Sequence, residues 1–367
     1  MNSDKNKEGE WRDIEKNRKE INSIDKQIIS LLSRRQEVAA SIGQIKRRLG
    51  IEVIDLAREE EILRRLTSNS LGTLTKEAVR YIFKEIISAS RSVQAPLVVA
   101  FLGPEATFSH QAAISLFGQS TSFKAAETIE EVFSLVEKGV CQQGVVPIEN
   151  SCEGSVNITL DLLYNYELRI GTEFLLRIRH HLLSKADNIN KIKQLYSHPM
   201  PVAQCREWIK SHLPGVPIRE VASTSLAARM VVDEPEAAAL GSSLSADTYG
   251  LNMLEENIED HPDNVTRFLT IGKIDTEPTG NDKTSILFFL KHQPGALFKI
   301  LEVLAQRDIN MSRIESRPMK IRNWEYLFFV DLEGHEKDIN IHEAIKKMEG
   351  SCAFMKRLGS YPAASVP

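Results

Sequence analysis

"IISLLSRRQEVAASIGQIK", residues 28–46, decides how the N-terminal part of the chain is read. Ile21, Ile24, Ile28, Leu31, Leu32, Val38, Ile42 and Ile45 recur at helical spacing and mark an apolar stripe. Arg35 and Lys46 fall within that stripe. Eleven residues apart in the sequence, at roughly 100° per residue, they differ by only ~20° around the axis. A cation on a core-facing stripe is costly unless it meets a carboxylate or a ligand anion. An internal salt bridge to Asp55, Glu59 or Glu61 of the next helix is one solution, and an anionic ligand is the other. The third helical segment favours the ligand. There Val79, Ile82, Phe83 and Ile86 define a face that Ser90 and Gln94 continue. Polar groups thus converge from two helices inside a small bundle. The bundle offers no nucleophile–base pair, metal cluster or Gly-rich phosphate loop, so chemistry there rests on positioning and electrostatics.

The chain has 367 residues, a net charge of -4 and 42% hydrophobic residues, which suits a globular protein of two or three domains. No apolar run approaches the ~18 residues of a membrane span, and the N-terminus has no signal-peptide core. A cytoplasmic protein that binds neither membrane nor nucleic acid is expected. Cys141, Cys152, Cys205 and Cys352 form no metal-type spacing and read as reduced thiols. Residues 1–13 read as a polar tail and residues 14–94 as all helix, the first helix running from about Ile14 to Leu49 without a proline. Such a rod, ~50 Å long, cannot bury its stripe against two shorter helices. Pairing with a second copy is expected, and association beyond a dimer stays open. From Leu97 to Lys273, short apolar runs alternate with helical ones. "LVVAFLG", "QGVVPIEN", "IKQLYSH", "VPIREVAST", "AAALGS" and "RFLTIGK" predict βα repetition, a mainly parallel sheet and two lobes with a cleft. Residues 274–282 are a linker by composition. Residues 283–361 then give a βαββαβ order, a small α+β sandwich of ferredoxin-like type.

The segments "RKEINSIDKQIISLLSRRQEVAASIGQIK", "DLAREEEILRRL" and "FKEIISASRSVQ" resemble the all-helical chorismate mutases. Arg18, Arg35, Lys46, Asp55, Arg58, Glu59, Ser90 and Gln94 fall on that family's active-site pattern. The resemblance implies rearrangement of chorismate to prephenate. Guanidinium forks of Arg18, Arg35 and Arg58 would hold the two substrate carboxylates. Lys46 and Gln94 would stabilise charge on the breaking ether oxygen, and Glu59, with Asp55, would accept from the substrate hydroxyl. Arg18, off the stripe, would reach a partner chain's pocket.

Residues 97–273 resemble the prephenate dehydratases through "FLGPEATFSHQAA", "VVPIENSCEGSV", "YSHPMPVAQC", "STSLAA", "AALGS" and "NVTRF". The implied fold is a two-lobed, periplasmic-binding-protein-like α/β domain, and the implied reaction removes CO2 and water from prephenate. Thr266 is the implied catalytic residue, donating to the leaving hydroxyl. Arg267 is a carboxylate partner. Asn150, Ser197, Gln204, Ser223, Thr224 and Ser225 supply neutral donors, and Glu149 orients them; each alone also suits a turn or helix cap. Ala106 departs from the family's usual glycine. His110, His180, His181 and His198 match no metal spacing, so neither metal nor cofactor is assigned. The C-terminal module resembles ACT regulatory domains through "PGAL" (Pro294, Gly295, Ala296, Leu297) and "ESRP" (Glu315, Ser316, Arg317, Pro318). A phenylalanine effector is implied, its carboxylate suited to the helix start at Pro294–Gly295. Two rival readings stay open: a dehydratase whose helical region only dimerises, and a non-catalytic phenylalanine sensor.

Overall fold

The computed structural model describes residues 2–68, 72–291, 293–318 and 326–364, with side chains from residue 11 onward. Met1 of the expected tail and Glu325, expected in a strand, lie outside the described residues. By packing, the chain forms two compact units, Met1–Ile54 with Leu66–Pro96, and Asp55–Arg65 with Leu97–Pro367.

Three helices come first: α1 (Asn2–Leu49), α2 (Leu56–Ser68) and α3 (Lys76–Gln94). The residues expected as a polar tail therefore continue α1. Thr75 caps α3 by accepting from the Ala78 N–H. In the first unit α1 and α3 run in the same direction, Arg35 beside Ile86 and Ser90, Gly43 beside Gln94. A Cβ at Gly43 would lie 2.7 Å from the Gln94 Cα, so only glycine lets the two backbones approach this closely. The stripe residues Ile21, Ile24, Ile28, Leu31, Val38, Ile42 and Ile45 stay 45–68% exposed in the single chain. Among the described residues of α1, Ala39 and Gly43 are buried, and Arg35 and Lys46 border them, half-buried.

The α/β region continues with β1 (Val98–Leu102), α4 (Phe108–Phe117), β2 (Ser122–Ala126), α5 (Ile129–Glu137), β3 (Gln143–Asn150), β4 (Gly154–Ser155), α6 (Asn157–Asn165) and β5 (Arg169–Arg177). A second lobe follows: β6 (His181–Ser184), β7 (Gln194–Ser197), α7 (Pro199–Gln204), α8 (Arg206–His212), β8 (Ile218–Glu220), α9 (Thr224–Met230), β9 (Ala237–Gly241), α10 (Ser243–Tyr249) and β10 (Asn252–Glu255). Strand β11 (Val265–Gly272) returns to the first lobe. The first sheet has the order β2-β1-β3-β11-β5 and the second β10-β6-β9-β7-β8. The expectation of a mainly parallel sheet is corrected: β11 is antiparallel to both β3 and β5, and β6 is antiparallel to β9 and β10. The reason is the double crossing between lobes, which returns β11 against the direction of β3. The crossings are stitched by Ile178 N–H to Asn264 C=O at 2.8 Å and Ile258 N–H to His180 C=O at 2.9 Å.

The C-terminal sheet is β13-β14-β12-β15, built from β12 (Asp282–Leu290), β13 (Met311–Pro318), β14 (Tyr326–Glu333) and β15 (Cys352–Pro362), all antiparallel. Helices α11 (Ala296–Ala305) and α12 (Ile339–Glu349) cover it through Ile300, Val303, Leu304, Ile341, Ile345 and Met348. Its last strand is eleven residues long, not short as expected.

Replacing a helical glycine by alanine ordinarily stabilises by up to ~1 kcal/mol. At Gly43 the sign should reverse. Gly43→Ala is expected to lose roughly 1–3 kcal/mol by overpacking against Gln94, read from urea denaturation followed by circular dichroism.

Candidate functional sites

On the helical unit, Arg35 Nη1 donates to the Ile86 carbonyl at 3.3 Å and to Ser90 Oγ, which itself donates to Ile86 C=O at 2.8 Å. Lys46 Nζ donates to the Val53 carbonyl at 3.2 Å, and Gln94 Nε2 to the Ser90 carbonyl at 3.2 Å. Burial lowers the Arg35 pKa. Both cations thus meet neutral oxygens, and among the described residues neither is ion-paired with a carboxylate. Two of the three candidate acid partners are engaged elsewhere. Asp55 Oδ1 accepts from the Arg58 N–H at 2.9 Å, capping α2, and Glu61 pairs with Arg58 at 2.5 Å. Asp55, Arg58 and Glu59 belong by packing to the second unit. Arg18 is exposed and lies 3.6 Å from Glu15 of its own helix.

The α/β region has its own polar centre where β3 and β11 pair. Asn150 and Thr266 are register partners, and Asn150 Nδ2 donates to Thr266 Oγ1 at 2.8 Å. The other amide atom, Asn150 Oδ1, accepts the N–H groups of Cys152 and Glu153 at 2.9 and 3.0 Å. That turn fixes which way the amide points. Thr266 Oγ already accepts one bond, so its proton is available to a ligand and is made a better donor. Asn264 was missed by sequence reasoning. Its Oδ1 accepts from Asn150 Nδ2 at 2.8 Å, and its own Nδ2 is buried with no hydrogen-bond partner. The signal was present: in "NVTRF" Asn264 and Thr266 are two apart and share a strand face.

The loop after β1 is tied to the second lobe. Ser225 Oγ donates to the Glu105 carbonyl and lies 2.9 Å from the Tyr249 hydroxyl, while Ser245 Oγ donates to the Ala106 carbonyl at 2.9 Å. Ala106 is fully buried with φ of 63°, the left-handed region where glycine is unstrained. Its N–H donates to His110 Nδ1 at 3.1 Å. The departure from glycine is therefore accommodated by a conformation that two lobes hold in place. His180 Nε2 lies 2.8 Å from Gln204 Oε1, His181 Nδ1 accepts from the Asn257 N–H, and His198 Nδ1 caps α7.

Several expected donors are engaged by the protein's own groups. Ser197 Oγ donates to the adjacent His198 carbonyl, Ser223 Oγ caps α9 by accepting from Leu226 N–H, and Ser225 is engaged as above. Thr224 opens α9. Arg267, expected to hold a substrate carboxylate, is buried among the protein's own partners. Its Nε pairs with Glu173 at 2.7 Å, Nη1 with Asp331 at 2.6 Å, and Nη2 donates to the Tyr361 hydroxyl at 3.0 Å. Burial lowers its pKa, but Tyr361, Asp331 and Glu173 outweigh that and raise it. Glu149 faces Arg313 at 3.0 Å.

In the C-terminal domain Gly295 precedes α11 with φ of 76° and no side-chain cap, placing Pro294 through Leu297 at an open helix start. Of the second motif, Glu315 and Arg317 bond residues of the first α/β lobe. Glu315 accepts from Ser155 Oγ at 2.9 Å and Arg317 pairs with Asp161 at 2.8 Å. Ser316 and Pro318 alternate to the exposed face.

Comparison with known proteins matches three families in order: chorismate mutase type II over residues 17–95, prephenate dehydratase over 99–276 and the ACT domain over 284–350. The bifunctional chorismate mutase/prephenate dehydratase of Aquifex aeolicus is 45% identical over 95% of this chain and 97% of its own length. That of Pseudomonas aeruginosa is 40% identical over 94% and 96%. A prephenate dehydratase from Arthrobacter aurescens, solved in complex with L-Phe, has a TM-score of 0.67 at 35% identity, covering 72% of this chain and 90% of that one.

His110, His180 and His181 all have pKa values lowered, with burial the main cause. In the unfolded chain each protonates near ~6.5, so below that pH the unfolded state binds more protons and stability falls. The urea midpoint should therefore drop between pH 7.5 and 5.5 (about one unit either side of ~6.5). The drop should be shallower in His110→Asn, whose side-chain oxygen can accept the Ala106 N–H without titrating; an equal drop would remove His110 from the effect.

Proposed function

The chain belongs to the bifunctional chorismate mutase/prephenate dehydratases, and on that premise we propose how its residues divide the two reactions. It is an enzyme of phenylalanine biosynthesis that converts chorismate to prephenate, then prephenate to phenylpyruvate, CO2 and water. The division runs as residues 14–94 for the first step, 97–273 for the second and 283–361 for regulation, joined by a linker at 274–282.

In the mutase step the substrate carboxylates supply the anions that Arg35 and Lys46 lack. Arg35, with Arg58 and an Arg18 from a second copy, holds the dianion in its compact reactive shape. Lys46 and Gln94 exchange their neutral carbonyl partners for the ether oxygen as negative charge grows there, so they stabilise the transition state more than the ground state. Ser90 keeps Arg35 aimed, and Glu59, assisted by Asp55, accepts from the substrate hydroxyl. In the dehydratase step Thr266 donates its hydroxyl proton towards the departing hydroxide as the carboxylate leaves as CO2 and the ring becomes aromatic. Asn150 holds the threonine oxygen, and Asn264 and Gln204 offer further amide donors. The observations that carry the reading are, in one unit, two half-buried cations with no carboxylate partner among the described residues and, in the other, a hydrogen-bonded Thr–Asn pair on neighbouring strands.

The exposed stripe of α1 supports a homodimer, since so many exposed apolar side chains are costly in water. The ACT match and the L-Phe-bound relative support phenylalanine as the effector, received at Gly295–Leu297 and the Ser316/Pro318 face of β13.

Lys46→Ala should lower chorismate turnover by about 10²–10³ and leave prephenate turnover unchanged. Thr266→Ala should do the opposite. Chorismate loss and phenylpyruvate formation are both followed by absorbance. If Lys46→Ala keeps the full mutase rate, Lys46 has no part in the reaction; if the wild-type chain turns over no chorismate, the helical region only dimerises.

A further inference from the structure

The pair Thr266–Asn150 is flanked, one residue along each strand, by charges that reach into the C-terminal sheet. Arg267 is the register partner of Glu149 across β11 and β3. On the C-terminal sheet Arg313 is the register partner of Asp331 across β13 and β14. The two cross-strand pairs meet with opposite polarity: Arg267 with Asp331 at 2.6 Å, and Arg313 with Glu149 at 3.0 Å. Strand β13 adds to this joint with a period of two. Arg313, Glu315 and Arg317 alternate inward, and Arg313 Nη2 and Glu315 both bond Ser155 Oγ, at 2.7 and 2.9 Å. Ser155 lies on β4, paired with Glu149, and the turn between β3 and β4 contains the N–H groups that fix the Asn150 amide.

Resting on the dehydratase reading above, we propose that Arg313 is a positioning residue for that step: through Glu149 and Ser155 it holds the strand end that sets the Asn150–Thr266 hydrogen bond, so the regulatory strand β13 and the catalytic pair move together. The physical reason is the stiffness of the link. On each strand the charged residue directly adjoins the member of the catalytic pair, and both strands lie in one sheet. A shift of β13, whose opposite face carries Ser316 and Pro318, is transmitted through a contiguous set of bonds. Burial strengthens the link, because the Arg313 side chain is only 10% exposed and its charge depends on the Glu149 carboxylate. The effector coupling then has a defined route: a ligand that displaces β13 loosens or tightens Asn150 on Thr266 without touching substrate.

The test uses the full chain and the variants Arg313→Met, Arg313→Lys and Ser155→Ala. Arg313→Met should lower dehydratase kcat by about tenfold to a hundredfold, with little change in KM for prephenate and none in mutase turnover. Arg313→Lys, which keeps a charge opposite Glu149, should recover most of that kcat. Ser155→Ala, which removes a single hydroxyl and carries little folding risk, should lower kcat in the same direction by a smaller factor. Phenylalanine binding, measured by calorimetry, should persist in Arg313→Met while its effect on dehydratase rate weakens. Wild-type kcat in Arg313→Met and Ser155→Ala would overturn the proposal, as would an equal loss in the Lys and Met variants. If the wild-type chain does not turn over prephenate at all, the dehydratase reading fails instead, a result read before any variant is made.

Discussion

A cation taken out of water must find an anion, and this molecule answers that demand in two different ways. Arg267 is satisfied from within: Glu173 and Asp331 flank it and the Tyr361 hydroxyl completes its fork. Lys283 also reaches Glu173, at 2.8 Å, and Ser285 bonds both Asp331 and Tyr361. The result is a closed network that fastens the first α/β lobe to the C-terminal sheet. Arg35 and Lys46 are held by carbonyl and hydroxyl oxygens alone. They are half-buried, so the cost is bearable without a carboxylate. The same physical rule separates an arginine closed within an ion-pair network from the substrate-binding role proposed for Arg35.

The Thr266–Asn150 pair follows from a topological detail. Because the chain crosses to the second lobe and returns, β11 enters between β3 and β5 in the antiparallel sense. Antiparallel register sets Thr266 opposite Asn150, a pairing that the expected parallel sheet would not produce. The return crossing also delivers Asn264, and the outward crossing delivers His180, which meets Gln204 of the second lobe. Serines at or near the starts of α9 and α10 reach back to the loop at Glu105–Ala106. These polar groups sit at strand ends, helix ends or the crossings between the lobes.

Much of this was legible in the sequence. The long first helix, the apolar stripe, the βα alternation and the βαββαβ tail all rest on periodicity, which survives in a single sequence. Thr266 and Asn150 were legible as members of quoted blocks. What periodicity does not carry is pairing across the chain. The antiparallel return of β11 depends on where the crossings fall, so the sheet was read as mainly parallel. Arg267 read as a free carboxylate partner because Asp331 and Tyr361 are 64 and 94 residues away. Glu315 and Arg317 read as effector ligands, although the alternation of β13 places them with Arg313 on the face towards the α/β lobe. Ser197, Ser223 and Ser225 read as donors at strand ends, and local backbone groups claim two of them.

The contrast between the two kinds of arginine is tested by comparing the unfolding of Arg35→Gln and Arg267→Gln in urea, with chorismate turnover measured on the same samples. Breaking a satisfied buried network should cost Arg267→Gln about 3–5 kcal/mol. Arg35→Gln should fold within about 1 kcal/mol of wild type, because no internal ion pair is lost, yet lose chorismate turnover. Equal destabilisation of both variants, or an Arg35→Gln enzyme with wild-type mutase rate, would contradict the account.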